Sequence, residues 1–129
     1  MRILMGITDS EQKHYYSLGL ATRHRVEIRH SPEEIIEMLP PPEIRELWVY
    51  DAIVLEASLV SQSPDLIAKI RERTPEEEVS FNTPIVVFFT HDDPEQAKEL
   101  IEKVDGMVHF PSHSSDILVR VESLTSLVR

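Results

Sequence analysis

The strongest candidate for a chemical site is an apolar run from Asp51 to Glu56 that has a carboxylate at each end. Its centre, Ala-Ile-Val-Leu, has four apolar residues in a row, and two of them are β-branched. This pattern favours a strand buried on both faces of a parallel sheet. Glu56 would then stand at the carboxyl end of the strand. Open parallel α/β sheets bind ligands along this edge, so we expect Glu56 to belong to any functional site.

Apolar segments and amphipathic segments alternate on both sides of this run. Five predicted strands span residues 2–7, 25–29, 51–56, 84–89 and 107–110. Five predicted helices span residues 11–22, 32–39, 64–73, 94–104 and 114–128, and residues 57–63 are expected to form a loop. The alternation predicts an α/β fold in which helices cover both faces of a parallel sheet, as a three-layer α/β/α sandwich.

Residues at the helix ends make this prediction more specific. Ser31 and Asp93 are expected N-caps, because a proline follows each of them at the first helical position. Gly106 is expected to end the fourth helix, since glycine is common just after a helix.

Two aromatic segments are expected to contribute to packing. Tyr15, Leu18 and either Tyr16 or Ala21 are expected to form the inner face of the first helix. The only tryptophan, Trp48, is expected in a packing turn before the third strand, and the alternative is an exposed aromatic for a partner.

Length and composition exclude several functions. With 129 residues, the chain fits one domain, residues 1–129. Its net charge of -10 argues against binding to nucleic-acid phosphates, and no apolar run approaches the roughly 20 residues that span a membrane. Without cysteine there are no disulfides and no thiolate metal sites. We therefore expect a cytoplasmic protein with neither a nucleic-acid nor a membrane partner.

Four parts of the chain resemble the receiver domain of two-component response regulators. They are residues 2–4 with 9–12, residues 51–56, residues 83–90 with 92–97, and Gly106 with Phe110 and Pro111. The resemblance covers nearly the whole chain. It implies a flavodoxin-like, five-stranded parallel sheet of strand order 2-1-3-4-5 and a role in signalling or regulation.

The resemblance also shows where receiver chemistry is altered. The family binds Mg²⁺ through an acidic pair at the end of the first strand, and these positions hold Ile7 and Thr8, with Asp9 beside them. Because Mg²⁺ requires oxygen ligands, we expect no metal site. The phospho-acceptor position holds Glu56 in place of aspartate. Its extra methylene displaces the attacking oxygen from in-line geometry.

The two switch-equivalent positions are Thr90 and Phe110. Thr90 keeps the threonine of the family, whereas Phe110 stands where a lysine would bind the phosphoryl oxygens. With three of the four chemical parts replaced, the resemblance implies a pseudo-receiver without an attached output domain. We expect it to have no cofactor, no enzymatic activity and no conventional aspartyl phosphorylation.

A protein partner is the expected ligand of such a domain. The resemblance implies a contact face on the fourth helix, fifth strand and fifth helix, including roughly residues 96–104 and 117–124, and the same face could form a homodimer. A further hypothesis is that the Glu56 carboxylate imitates a phosphoryl group and holds Thr90 inward. A carboxylate carries less charge than a phosphate and has one oxygen fewer, so the alternative is an ordinary acid at a strand end.

Three other interpretations remain open from the sequence. A flavodoxin-like sheet could bind FMN or a nucleotide, although the acidic residues after the first strand disfavour phosphate. Asp9, Asp51 or a hydroxyl group could be phosphorylated in an atypical way. His109 and His113 could bind a metal, but they flank Pro111 and therefore do not share a helix face.

Overall fold

The central sheet has the predicted number of strands in the predicted order. The computed structural model describes residues 1–8, 12–73, 83–109, 111, 113 and 115–128. Its five strands are β1 (Arg2–Gly6), β2 (Arg25–Arg29), β3 (Ala52–Glu56), β4 (Ile85–Phe89) and β5 (Gly106–His109). All neighbouring strands run parallel, in the order β2-β1-β3-β4-β5. The flavodoxin-like, receiver-like sheet predicted from the sequence is confirmed.

The described part of the chain forms six α-helices, one more than predicted. They are α1 (Gln12–Ala21), α2 (Pro32–Glu37), α3 (Ala57–Gln62), α4 (Leu66–Arg73), α5 (Pro94–Leu100) and α6 (Ser115–Val128), and a 3-10 helix covers Pro42–Leu47. The predicted fourth and fifth helices are α5 and α6.

The additional helix is α3, so the prediction of a loop over residues 57–63 was wrong. Ala57, Leu59 and Val60 are buried, and together they form an apolar face of the helix. Serines on either side of this face have only modest helix propensity. Packing against the sheet, which supplies most of the stability of helices in proteins, explains why a helix forms here.

Two apolar cores lie on opposite faces of the sheet, because side chains alternate along each strand. In β3, Ile53 and Leu55 belong to the core under α2, α3, α4 and α5. Ala52 and Val54 belong to the core under α1 and α6. The result is the predicted three-layer sandwich. None of the described helices is long and apolar enough to cross a membrane.

Both predicted N-caps are confirmed. The Ser31 hydroxyl accepts a hydrogen bond of 3.2 Å from the backbone N–H of Glu34, at the start of α2. The Asp93 carboxylate accepts one of 3.0 Å from the N–H of Gln96, at the start of α5. Each cap satisfies a backbone donor that has no partner within its helix.

The inner face of α1 differs from the prediction. Tyr15 and Leu18 are 43% and 54% exposed, whereas Leu20 is fully buried and Ser17 is 7% exposed. Tyr16 is half-buried and packs against the core under α1 and α6. The rotation of the helix is therefore set by Leu20 and Tyr16, which are one turn apart, and not by Tyr15 and Leu18.

The prediction that Gly106 ends a helix was wrong, because Gly106 begins β5. A Cβ atom at this position would lie 3.0 Å from both Arg120 Nε and Leu124 Cδ1. The glycine therefore allows α6 to pack close to the edge strand. The helix before it, α5, ends at Leu100.

Trp48 packs against the core under α2 to α5, as predicted. Its indole N–H donates hydrogen bonds to the carbonyl oxygen of Tyr50, at 2.8 Å, and to the hydroxyl of Thr83, at 2.9 Å. These bonds join the segment before β3 to the segment before β4.

Candidate functional site

The carboxyl ends of β1 and β3 bring the central site residues together. The register pairs Gly6 with Leu55, so the next residues, Ile7 and Glu56, are neighbours across the two strands. The strand order reverses at this point, since β1 leads outward to β2 and β3 leads toward β4. Such a switch point is the usual ligand site of an open α/β sheet.

The carboxylate of Glu56 is enclosed by the fold. Glu56 is only 2% exposed, and the Thr8 hydroxyl donates a hydrogen bond of 2.5 Å to its Oε1 atom. Its Oε2 atom is buried and accepts no hydrogen bond from any described residue. Glu56 also occupies the N-cap position of α3, but its side chain makes no capping bond there. The side chain is therefore directed to the end of β1, and it presents little oxygen surface to solvent.

Tyr16 is a neighbour of Glu56 that the sequence did not assign to the site. Its ring lies 5.1 Å, between centroids, from the ring of Phe88, which is the register partner of Glu56 in β4. Burial raises the pKa of Tyr16, and the neighbouring charges of Tyr15 and Glu56 raise it further. A phenol beside a carboxylate thus stays protonated at neutral pH. Tyr16 and Leu20 are four residues apart and therefore share one face of α1, and this spacing is the sequence pattern that could have identified Tyr16.

Ile7 stands in the core and cannot take the place of an acidic ligand. Its side chain is fully buried in the core under α1 and α6. Its N–H donates to the Arg29 carbonyl at 3.0 Å, and its own carbonyl lies 2.8 Å from Nδ1 of His30. Thr8 is half-buried, and its hydroxyl is engaged by Glu56.

These contacts do not fit a magnesium site. Among the residues that the structure describes, no group of three or more His, Asp or Glu side chains could hold a metal ion. Asp9, which the sequence places beside the site, and Phe110, which it places at the lysine position, lie outside the described residues.

Thr90 lies at the same edge of the sheet but does not bind Glu56. It is half-buried and lines a cavity of about 220 Å³ together with Ala57, Ser58 and His91. Within the described part of the chain, the hydroxyl that bonds to Glu56 is that of Thr8. Within the described residues, therefore, no hydrogen bond supports the hypothesis that Glu56 holds Thr90 inward.

The predicted contact face carries one exposed and two half-buried apolar side chains around a shallow cavity. On it, Ile101 is 61% exposed, and Val104 and Met107 are half-buried. These residues line a shallow cavity of about 320 Å³ with His109 and Arg120. The ring of His109 stacks on Phe89, with centroids 4.7 Å apart. His109 is thus part of this face, and it forms no metal site with described residues.

Comparisons with known proteins agree on the fold. No family model matches the sequence, and no curated protein matches it. Among solved structures, a response regulator receiver protein from Pseudoalteromonas atlantica superposes with a TM-score of 0.74 at 13% identity, covering 100% of both chains.

Two further structures give the same result. A two-component response regulator from Clostridium difficile superposes with a TM-score of 0.73 at 19% identity, covering 98% of this chain and 96% of the other. The non-phosphorylated HemR receiver domain from Leptospira biflexa has a TM-score of 0.71 at 23% identity, covering 99% and 96%. At these identities the similarity establishes a receiver-like fold.

Proposed function

We propose that this chain is a pseudo-receiver, which acts in cytoplasmic signal transduction or regulation by binding a protein and does not use conventional aspartyl phosphorylation. The burial of Glu56, together with its hydrogen bond to Thr8, is the observation that carries the proposal. The receiver-like fold of the solved structures supports a signalling role.

The described residues of the site offer little support for phosphoryl transfer. Such a reaction needs an accessible nucleophile in line with the phosphoryl group and a cation that neutralises the developing charge. Glu56 is 2% exposed, and its Oε1 atom is already an acceptor. Ile7 supplies an apolar side chain where a metal ligand would be needed. The proposal therefore assigns the domain no catalytic activity.

Protein contact is the use that we propose for this receiver-like fold, and we assign it to the face formed by α5, β5 and α6. Ile101 is 61% exposed on this face, and Val104 and Met107 surround a shallow cavity. The exposed Ile101 and the half-buried Val104 and Met107 give this face a small apolar surface, and contiguous apolar surfaces are typical of interaction sites. We propose that a partner protein or a second copy of the chain binds here.

The absence of phosphorylation can be tested by intact mass spectrometry after incubation with acetyl phosphate and Mg²⁺. The native chain and Glu56→Asp are both expected to keep their mass, because shortening the acid restores neither its exposure nor the metal ligands. A receiver domain with a complete acidic pocket serves as the positive control. A stoichiometric phosphoryl adduct on the native chain would refute the proposal and would indicate an acceptor such as Asp9 or Asp51.

The contact face can be tested by light scattering at several protein concentrations, together with capture of partners from a lysate. Ile101→Glu is expected to abolish any self-association or partner binding, because a charge would be buried in the interface. Leu18→Glu is the matched control, since Leu18 is 54% exposed on α1, a helix that does not belong to the assigned face. Equal effects of the two variants would argue against the assigned face.

A further inference from the structure

The outer edge of the sheet at β2 has no neighbouring strand among the described residues, because β2 is the first strand in the order β2-β1-β3-β4-β5. At the start of β2, the N–H of Arg25 donates a hydrogen bond of 3.0 Å to the carbonyl oxygen of Met1. Residues 25, 27 and 29 therefore direct their backbone groups to β1. By alternation, Val26 and Ile28 direct theirs away from the sheet. Neither the receiver-like site nor the contact face includes this edge.

Three outward backbone groups on this edge can pair with an added strand. They are the N–H and carbonyl groups of Val26 and the N–H group of Ile28. The carbonyl oxygen of Ile28 already accepts a hydrogen bond of 2.7 Å from the Arg29 guanidinium. Backbone donors and acceptors along a sheet edge are a template for pairing with another chain.

One face of β2 carries two arginines that have no acidic partner. Arg25 is exposed and Arg29 is half-buried, and neither forms an ion pair with a residue in the described ranges. Glu27, the only acid of the strand, lies between them and accepts hydrogen bonds from Arg2 and Tyr50. The two arginines are about 13 Å apart along the strand. They give this edge positive charge in a chain whose net charge is -10.

The other face of β2 is apolar and only partly covered. Val26 and Ile28 are half-buried and pack against the core under α1 and α6. In β3, which has a strand on each side, every residue is buried. An added strand would cover the exposed part of Val26 and Ile28 in the same way. The edge therefore matches a strand that is acidic on one face and apolar on the other.

We propose that the outer edge of β2 binds an extended, acidic segment of a partner protein as an added strand. Its Asp or Glu side chains face Arg25 and Arg29, and the apolar residues between them lie beside Val26. In strand addition, backbone hydrogen bonds give affinity, and side chains at alternate positions give specificity. Arginines on an edge hinder pairing with neutral or basic strands and leave an acidic strand as the complementary one.

A second copy of β2 is a poor match for the same edge. Two copies related by a two-fold axis would pair in an antiparallel arrangement. In a pair centred on Glu27, Arg25 of one copy would face Arg29 of the other, and the two Glu27 side chains would face each other. Like charges directly opposite each other destabilise a strand pair. The occupant is therefore assigned to a different protein.

A fluorescent peptide of about eight residues that alternates Glu with Val is the probe. Fluorescence anisotropy is expected to show saturable binding to the native chain. A peptide of the same composition with Glu and Val in two separate blocks has the same charge but no acidic face, and it should bind about tenfold more weakly. Equal binding of the two peptides, or failure to saturate, would overturn the proposal.

Hydrogen exchange measured by NMR locates the bound peptide. Exchange should slow at the amides of Val26 and Ile28, because their N–H groups gain acceptors. It should change little at Arg25, whose N–H is already bonded to Met1. Unchanged exchange at Val26 and Ile28 under saturating peptide would refute strand addition. Slower exchange at these amides with rising protein concentration, without peptide, would identify a second copy as the occupant and would also overturn the proposal.

Matched charge reversals separate the edge from non-specific attraction. The double variant Arg25→Glu, Arg29→Glu is expected to weaken peptide binding about tenfold. The double variant Lys98→Glu, Lys103→Glu makes the same change in net charge on exposed residues outside β2, and it should alter binding less than about twofold. Equal weakening by both variants would mean that the peptide responds only to the charge of the whole chain, and it would refute the edge.

A backbone change tests the edge independently of the arginines. Val26→Pro removes an outward N–H and no hydrogen bond to β1, and proline is tolerated on edge strands where the N–H faces solvent. Val26→Ala shortens the same side chain but keeps the N–H. The proline variant should bind the peptide about fivefold more weakly than the alanine variant. Equal binding of the two variants would contradict strand addition.

The contact face provides the last control. Ile101→Glu is expected to leave peptide binding unchanged, because Ile101 lies on the contact face and not on β2. Loss of peptide binding in this variant would place the peptide on the contact face and overturn the proposal. The β2 edge can therefore fail or succeed independently of the proposed function.

Discussion

Acidic side chains have different hydrogen-bond partners at the two ends of the parallel sheet. Toward the amino end, Glu27 accepts a hydrogen bond of 2.7 Å from Arg2 and another from the Tyr50 hydroxyl. Asp51 accepts one of 2.8 Å from the backbone N–H of Arg2. The guanidinium of Arg2 also lies 5.7 Å from the centre of the Tyr50 ring. These contacts tie β1, β2 and the start of β3 together.

At the carboxyl end, Glu56 is more deeply buried and has fewer partners. One oxygen is bound by Thr8, and the other accepts no hydrogen bond from any residue within the described ranges. A buried carboxylate with incomplete hydrogen bonding costs stability. The acids toward the amino end therefore have the contacts of structural residues, whereas Glu56 has fewer and lies at the edge where open α/β sheets usually bind ligands.

The largest effect is expected from crowding the carboxyl end. In Gly6→Ala, the new Cβ would lie 2.9 Å from Leu55 Cδ2 and 3.1 Å from both Ile35 Cδ1 and Leu59 Cδ2. These side chains are fully buried and cannot move aside. The free energy of unfolding, measured by urea denaturation, should fall by about 1–3 kcal/mol.

Gly106→Ala is the control for this crowding. Its Cβ would approach Arg120 and Leu124, which are exposed and half-buried, and their ends can shift. We expect a loss below about 1 kcal/mol. A larger loss at Gly106 than at Gly6 would contradict the idea that the carboxyl end is the more tightly packed of the two positions.

Replacing Glu by Gln should lower the free energy of unfolding more at Glu27 than at Glu56. Glu27→Gln removes a charged acceptor of two hydrogen bonds and should lower the free energy of unfolding at neutral pH by about 1–2 kcal/mol. Tyr50→Phe removes only one donor to Glu27 and should cost about 1 kcal/mol. Both values can be read from urea titrations. If neither change is destabilising, the network at the amino end is not structural.

Stability should also depend on pH through Tyr50 and Glu27. Burial, and then the hydrogen bond to Glu27, raise the pKa of Tyr50 from 10.0 to about 12. Because the folded pKa is the higher one, this contribution is complete below pH 10.0 and is lost as pH rises toward about 12.

The contribution of Glu27 to stability depends on pH in the opposite direction. Hydrogen bonds from Tyr50 and Arg2 lower the pKa of Glu27, so its contribution is present above its ordinary value of 4.5 and is lost as pH falls through the lowered pKa. Unfolding monitored by circular dichroism across pH should show both limbs, and Tyr50→Phe should flatten the alkaline one. An unchanged alkaline limb in this variant would show that another group controls it.

The smallest effect is expected at Glu56. Glu56→Gln keeps the size of the side chain and the acceptor for Thr8 but removes a buried acid, so stability should stay the same or rise by about 1 kcal/mol. Thr8→Val removes the only described donor and should cost about 1 kcal/mol. Thermal denaturation of both variants distinguishes these outcomes. A strong loss in Glu56→Gln would mean that this acid is as structural as Glu27.

Much of the fold could be predicted from local sequence patterns. The apolar runs at β3 and β4 and the caps Ser31 and Asp93 were sufficient to place the sheet and two helices. The loop prediction for α3 failed because its helix depends on burial of Ala57 and Leu59 against the sheet. Local helix propensity does not include the free energy gained by this burial.

The site was only partly predictable. The strand pattern placed Glu56 at the carboxyl edge of the sheet, and the resemblance to receiver domains added Thr8 and Thr90 to the same site. The sequence did not reveal that Thr8, and not Thr90, would donate to Glu56. It also did not reveal Tyr16 beside this acid, since the rotation of α1 depends on how Leu20 packs.

The sequence by itself determined the order and type of most elements, the strand-end position of Glu56 and the apolar nature of Ile7, because these follow from residue type and short-range periodicity. Only the tertiary structure decided the burial of Glu56 and its choice of hydrogen-bond donor. These properties depend on side chains far apart in the chain, such as Thr8 and Glu56. Their distance is set by the packing of strands and helices and not by local residue pattern.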